Sequence, residues 1–298
     1  MQKLLILCIV IFLWACGSVP VYEQKYQEGI SAWEQGNKKE AIVLLNESLA
    51  DNPQYYPARM ELGNYHRELQ EYEQAAKDYE AAIELAAQES DPWILAGESY
   101  LQVGRSIEDP EEYQKVFLTA QYKFSKALEL PKLGSENKFR ATLGKGICLL
   151  KRTLTEDARE YLGKALEEQP NDIEAKFYNA VLKEQQVGPN KASMEIYEKV
   201  IAANSKHVEA LKQMGDLFKK LGHTNQAHEY YSRFLNAGGK SASIQEWVIE
   251  QDKVWQAANA VPREKETIMI CPDCGRIGKK GQKVCDFDGS DLIPQEKS

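Results

Sequence analysis

Apolar residues recur along the chain at helical spacing, in short stripes separated by breaks. Met60, Leu62, Tyr65 and Leu69 form one stripe, and Tyr72, Tyr79, Ala82 and Ile83 form the next. Each stripe predicts an amphipathic helix, and together they predict a helix pair. Small residues stand in phase with the stripes. One series is Gly29, Gly63, Gly97, Gly146, Ala180 and Gly215, with spacings of 34, 34, 49, 34 and 35. A second is Ala41, Ala75, Ala120, Ala158, Ala192 and Ala227, with spacings of 34, 45, 38, 34 and 35. Both series lengthen in the same part of the chain, so the pattern is a repeat with a local insertion. A small residue on the first helix of a pair lets its neighbour approach closely, and a bulky residue such as Tyr79 or Leu162 fills the gap. Asp51-Asn52-Pro53 and Gln169-Pro170-Asn171 close two of the units, because proline cannot continue a helix interior. After Gly238-Gly239, Ile244, Trp247, Val248, Val254 and Trp255 predict one more helix, from 244 to 260.

Gly29…Ala41…Pro53, Trp93…Gly97…Tyr100…Gly104, Gly146…Ala158…Ala165…Pro170 and Gly215…Gly222…Ala227 resemble the tetratricopeptide repeat. The resemblance implies an all-α superhelix of about six helix pairs, near 22–55, 56–89, 90–135, 136–172, 173–207 and 208–238. A helix within 239–262 is expected to cap the last pair, since terminal repeats expose an apolar face. The third unit departs most: Arg105–Lys115 adds about 11 residues, as a longer helix or as an acidic loop on one rim. Such arrays bind peptide segments along a concave face lined by first helices, so a protein or peptide partner is implied. The comparable positions here hold Tyr26, Ile30, Glu61, Asn64, Asp91, Ile94, Leu95 and Glu98. That set does not match the Lys/Asn clamp with which some members grip a terminal carboxylate. It suits a partner with apolar anchors and some basic charge. Tyr26, Trp33, Tyr65 and Trp93 are the candidate contact residues.

Composition narrows the function. The 298 residues carry 37 Lys plus Arg against 45 Asp plus Glu, a net charge of -8. Mean hydropathy is -0.52. An acidic balance argues against a phosphate-backbone binder, and no nucleic-acid partner is expected. At the N-terminus Lys3 is followed by an uncharged apolar run, Leu4 to Ala15, too short for the ~20 residues of a membrane span. That is the pattern of a secretory signal, placed here at 1–15. Leu13-Trp14-Ala15-Cys16 resembles a bacterial lipobox, which implies lipidation of Cys16 after cleavage and a short anchor linker, 16–21. Gly17 at the next position implies outer-membrane sorting, with the protein facing the periplasm.

The tail, 263–298, carries different chemistry. Cys271-x-x-Cys274-Gly275 and Cys285-x-x-Asp288-Gly289 repeat the spacing of a zinc-ribbon-like knuckle pair. Zn²⁺ takes four tetrahedral ligands, and two tight turns would each supply two. Asp288 stands where a fourth cysteine is expected, so the ligand set would be Cys271, Cys274, Cys285 and Asp288 around a structural Zn²⁺. A Cys271–Cys274 disulfide and a vestigial ribbon are the alternatives. Thr267–Ile270 and Lys283-Val284 are predicted as short flanking strands. Arg276, Lys279, Lys280 and Lys283 read as a solvated loop, because the tail as a whole is not basic.

No serine-nucleophile elbow, phosphate loop or dinucleotide fingerprint occurs, and His223 and His228 lie five apart rather than four. Cys148, within Ile147-Cys148-Leu149-Leu150, reads as a core thiol. No catalytic activity is expected. The sequence reads as a lipid-anchored interaction scaffold or assembly factor of the bacterial envelope. The competing reading is a metal- or redox-responsive adaptor switched by the tail cysteines.

Overall fold

The computed structural model describes residues 19–260 and parts of 267–296. Residues 1–18, 261–266, 271, 274–276, 278–281, 285–289 and 297–298 lie outside the described residues. Cys16, Cys271, Cys274, Cys285 and Asp288 are therefore all outside them. The chain divides into two compact units, one ending at Ile244 and one beginning at Gln245.

Among the described residues of the first unit twelve helices run in six consecutive pairs: α1 (Val21–Glu34) with α2 (Lys38–Asp51), α3 (Tyr56–Glu68) with α4 (Tyr72–Leu85), α5 (Ser90–Gly104) with α6 (Pro110–Glu129), α7 (Ser135–Lys151) with α8 (Thr155–Glu168), α9 (Ile173–Val187) with α10 (Lys191–Ala203), and α11 (Val208–Lys220) with α12 (Thr224–Asn236). A thirteenth, α13 (Ala242–Ala260), begins in the first unit. Among the described residues no helix is long and apolar enough to cross a membrane.

Five of the six pairs close on a glycine of the first helix. A side chain on Gly63 would meet the Tyr79 ring, one on Gly146 would meet Leu162, and one on Gly29 would meet Leu45, always sixteen residues further along. The third pair uses Phe124 against Gly97, the same spacing lengthened by the insertion. These fillers are inaccessible to solvent, and they form the core between first and second helices. Tyrosine fillers also reach back with their hydroxyl. Tyr79 donates to Asn64 Oδ1 at 2.8 Å and Tyr231 donates to Asp216 Oδ1 at 2.7 Å, in each case the residue after the glycine. The polar tip of a buried ring is thus satisfied where the ring ends.

The insertion becomes mostly helix. α6 is 20 residues long, starting at Pro110 with the Asp109 carboxylate accepting from the Glu112 N–H at 2.8 Å. Proline at the first helical position and an aspartate cap before it fix that start. Only 105–109 remains as a loop. Cys148 is fully buried beside Phe124 and Ala141, and burial pushes its thiol well up.

In the second unit β1 (Thr267–Ile270) pairs antiparallel with β2 (Ile293–Glu296), Ile270 opposite Ile293. The first of these strands falls where the sequence places it. The second was not foreseen, and Val284 instead makes an isolated bridge to Asp291. A second isolated bridge joins Ile270 to Ile277.

Gly97→Leu is expected to lower stability by roughly 1–3 kcal/mol, because a Cβ there would lie 2.8 Å from the Phe124 ring. Gly163→Ala on α8, with nothing within 4 Å, is expected to be neutral or to stabilise by up to ~1 kcal/mol. Chemical denaturation followed by circular dichroism checks both.

Candidate functional site: a cavity across the first helices

The four aromatic residues singled out in the sequence serve first as joints between helices. Trp33 on α1 stacks on Tyr65 of α3 with ring centroids 3.8 Å apart and planes 4° from parallel. The Lys38 ammonium lies 4.9 Å from the centroid of the Trp33 ring. Tyr65 is buried, and Tyr26 packs edge-on against Tyr55 at 5.3 Å. Trp93 lies apart from these three. Its indole N–H donates to the Ala87 carbonyl at 2.9 Å and its ring meets Lys123 and Tyr122. Two positions assigned to the groove face prove to be core: Ile94 is inaccessible and Leu95 is buried against Tyr79. The helix α5 is rotated so that Glu98 and Gln102, and not Ile94, face the open side.

That open side holds a cavity of about 580 Å³ lined mostly by α3, α5, α7 and the start of α9, with Tyr72 of α4 and Phe124 of α6. Its apolar wall is Leu101, Phe139, Leu143 and Ile147, and its polar rim includes Arg67, Glu68, Glu98, Arg105, Arg140, Asp172 and Glu174. None of Tyr26, Trp33, Tyr65 and Trp93 lines it. The rim cations are already engaged. Arg140 forms a two-point pair with Glu98, Nε to Oε1 at 2.9 Å and Nη2 to Oε2 at 2.8 Å, and Arg67 approaches the same carboxylate at 3.7 Å.

Arg105 carries a contact between distant units. It caps the C-terminus of α5, and its Nε donates to Glu209 Oε1 on α11 at 3.0 Å, across 104 residues of sequence. Glu209 is the centre of a buried cluster. Lys151 at the end of α7 lies 3.2 Å away, and the buried Tyr178 of α9 donates to Glu209 Oε2 at 2.5 Å. Residues from four consecutive units thus meet at one carboxylate. Burial on its own would push the Glu209 carboxyl up, but Lys151, Arg105 and the Tyr178 hydroxyl outweigh it and hold it down at about 2. Beyond Arg105 lies a second, smaller cavity of about 350 Å³, walled partly by Ile107, Glu108 and Tyr113 of the insertion. The Glu108 carboxylate accepts from the Ala242 N–H at 2.6 Å, so the insertion also reaches the start of α13. Among the described residues no cluster of three or more His, Cys, Asp or Glu could hold a metal ion.

With this geometry in place, the comparisons with known proteins are specific as to fold. A tetratricopeptide repeat family model matches residues 26–92. No curated protein matches the sequence. Among solved structures, a tetratricopeptide repeat protein from Parabacteroides merdae matches with a TM-score of 0.58 at 19% identity, over 79% of this chain and 86% of that one. PilW, described as a widely conserved type IV pilus biogenesis factor, matches with a TM-score of 0.53 at 19% identity, over 78% of this chain and 100% of that one. Pseudomonas aeruginosa PilF matches with a TM-score of 0.51 at 19% identity, over 77% and 97%. The fold is a tetratricopeptide-like array of helix pairs, as its periodicity implies.

The Glu209 cluster makes a pH prediction. Because its folded carboxyl is held below the ordinary value of 4.5, the unfolded chain takes up the proton first as pH falls. The stabilisation is complete above about pH 4.5 and is lost as pH drops through about 2, by roughly 3 kcal/mol. Glu209→Gln is expected to flatten that acid dependence in thermal melts. It should also cost about 3–5 kcal/mol at neutral pH, since Arg105 and Lys151 lose a buried counter-charge.

Proposed function

We propose that this protein is a non-catalytic interaction scaffold or assembly factor of the bacterial cell envelope, anchored through a lipidated Cys16. The observation that carries the reading is the array itself: consecutive first helices present a cavity with an apolar wall and a charged rim, a surface suited to a protein segment. The lipobox-like Leu13-Trp14-Ala15-Cys16 and the likeness in fold to PilW and PilF support an envelope location and a part in assembling a larger structure. Fold likeness alone names no partner. Metabolic labelling with a fatty-acid probe followed by membrane fractionation tests the anchor: wild type is expected to carry label in the membrane fraction, and Cys16→Ser to remain an unlabelled, unprocessed precursor. Normal processing and membrane retention of Cys16→Ser would overturn the anchor. In-cell crosslinking followed by pull-down tests the scaffold.

A second reading, a metal- or redox-responsive adaptor, is favoured by the two isolated bridges. Ile270 pairs with Ile277 and Val284 with Asp291, so each bridge brackets one of the two knuckle motifs at the same spacing. The donor set Cys271, Cys274, Cys285 and Asp288 fits Zn²⁺, which accepts thiolate and carboxylate ligands. With so little core, the tail would draw most of its folding free energy from the metal. The purified reduced protein is expected to hold one zinc, and Cys271→Ser to release it without loss of array helicity. A protein that takes up no zinc, or that carries a Cys271–Cys274 disulfide, contradicts the metal site.

A further inference from the structure

The charges on the cavity rim do not balance, and the imbalance has a direction. Two of its arginines are spent within the protein, Arg140 on Glu98 and Arg105 on Glu209, and Arg67 is held more loosely, 3.7 Å from Glu98. Of its four carboxylates only Glu98 is held by a short ion pair. Asp172 uses one oxygen to cap α9, accepting from the Ala175 N–H at 2.7 Å. Glu174 has Arg105 at 3.8 Å, beyond hydrogen-bonding distance, and among the described residues Glu68 meets no cation. The Glu174 carboxyl is pushed up by desolvation, which Arg105 only partly opposes, and Glu209, Asp172 and Glu98 push in the same direction. A carboxylate so placed is stabilised by any cation that reaches it. Directly below lies the apolar wall of Phe139, Leu143 and Ile147 in a cavity whose 580 Å³ falls within the ~300–1,000 Å³ of ligand clefts. The two-point pair between Arg140 of α7 and Glu98 of α5 joins two of its walls, so the cavity is preformed and a partner need not order it.

Resting on the scaffold reading above, we infer that this cavity is the specificity pocket of the array, and that it takes a partner segment in which a large apolar side chain stands next to a lysine or arginine. The apolar side chain fills the wall, and the cation pairs with Glu174 and Glu68. Acidic segments are disfavoured, because Arg105 and Arg140 are already held by hydrogen-bonded carboxylates and only Arg67 is loosely engaged.

The test uses the full-length purified protein and a display library of random twelve-residue peptides. Selection is expected to enrich an apolar residue adjacent to Lys or Arg, with affinity that weakens as salt rises. Glu174→Gln is isosteric and lies on the rim, so the fold is kept. It is expected to weaken the enriched peptides about tenfold, and Glu68→Gln to weaken them less. Glu174→Lys is expected to shift selection toward Asp and Glu. Enriched peptides without a basic residue, or bound equally well by Glu174→Gln, would overturn the pocket while leaving the scaffold reading intact. Failure to enrich any peptide also overturns the pocket, and in-cell crosslinking then decides the scaffold reading independently.

Discussion

Everything in the first unit depends on a contact that one partner makes with no side chain. Where Gly63, Gly97 or Gly146 stands on a first helix, the second helix comes close enough for Tyr79, Phe124 or Leu162 to rest against bare backbone. The glycine costs about 1 kcal/mol of helix propensity, and burial of a whole aromatic or leucine side chain returns about 1.5–3 kcal/mol. The balance favours the close contact, and four of the pairs repeat it at one spacing. Pairs stacked in this way bring the first helices side by side, and the cavity lies along them.

The Arg105 cluster departs from the usual energetics of such arrays. In a repeat array each unit ordinarily touches only its neighbours. Here a side chain in the third unit meets one in the sixth, and Lys151 and Tyr178 from the units between join them. A buried carboxylate with a hydroxyl donor and two cations is adequately paired, whereas any one member alone would be a severe burden. The insertion makes this possible: it delays α6, leaves 105–109 as a free turn, and lets Arg105 point inward instead of continuing a helix.

Much of this architecture was legible in the sequence. The 34-residue phase is carried by small residues whose replacement would collide with a ring, so steric necessity writes the helix pairs into the chain. The insertion was visible as a broken phase, though its helical form rests on the Asp109-Pro110 cap. The groove was harder. Ile94 and Leu95 were placed on it because the rotation of α5 follows from tertiary packing and not from spacing alone. The cluster at Glu209 joins residues 104 apart, which no local pattern encodes. One signal was nevertheless present: Asp91, Arg140, Glu174 and Glu209 all stand six residues before the small residue of their unit. Three of these four, Arg140, Glu174 and Glu209, enter the ion pairs of the cavity and of the cluster, and Asp91 accepts from Asn137. β2 was illegible because Pro294 and the polar residues beside it resemble no strand until β1 pairs with them.

An array built of neighbours can fold from any point, one pair templating the next, with mostly short loops to close. The bond between Arg105 and Glu209 changes that order. It ties the chain into a ring of about a hundred residues, whose closure entropy is met only after the intervening pairs have formed. Units three to six therefore share a late, common step, while units one and two stand outside the ring. The N-terminal two pairs lie outside that ring, joined to it through Glu80, which meets Tyr100 and Lys123, and the four units within it are tied into one cooperative block.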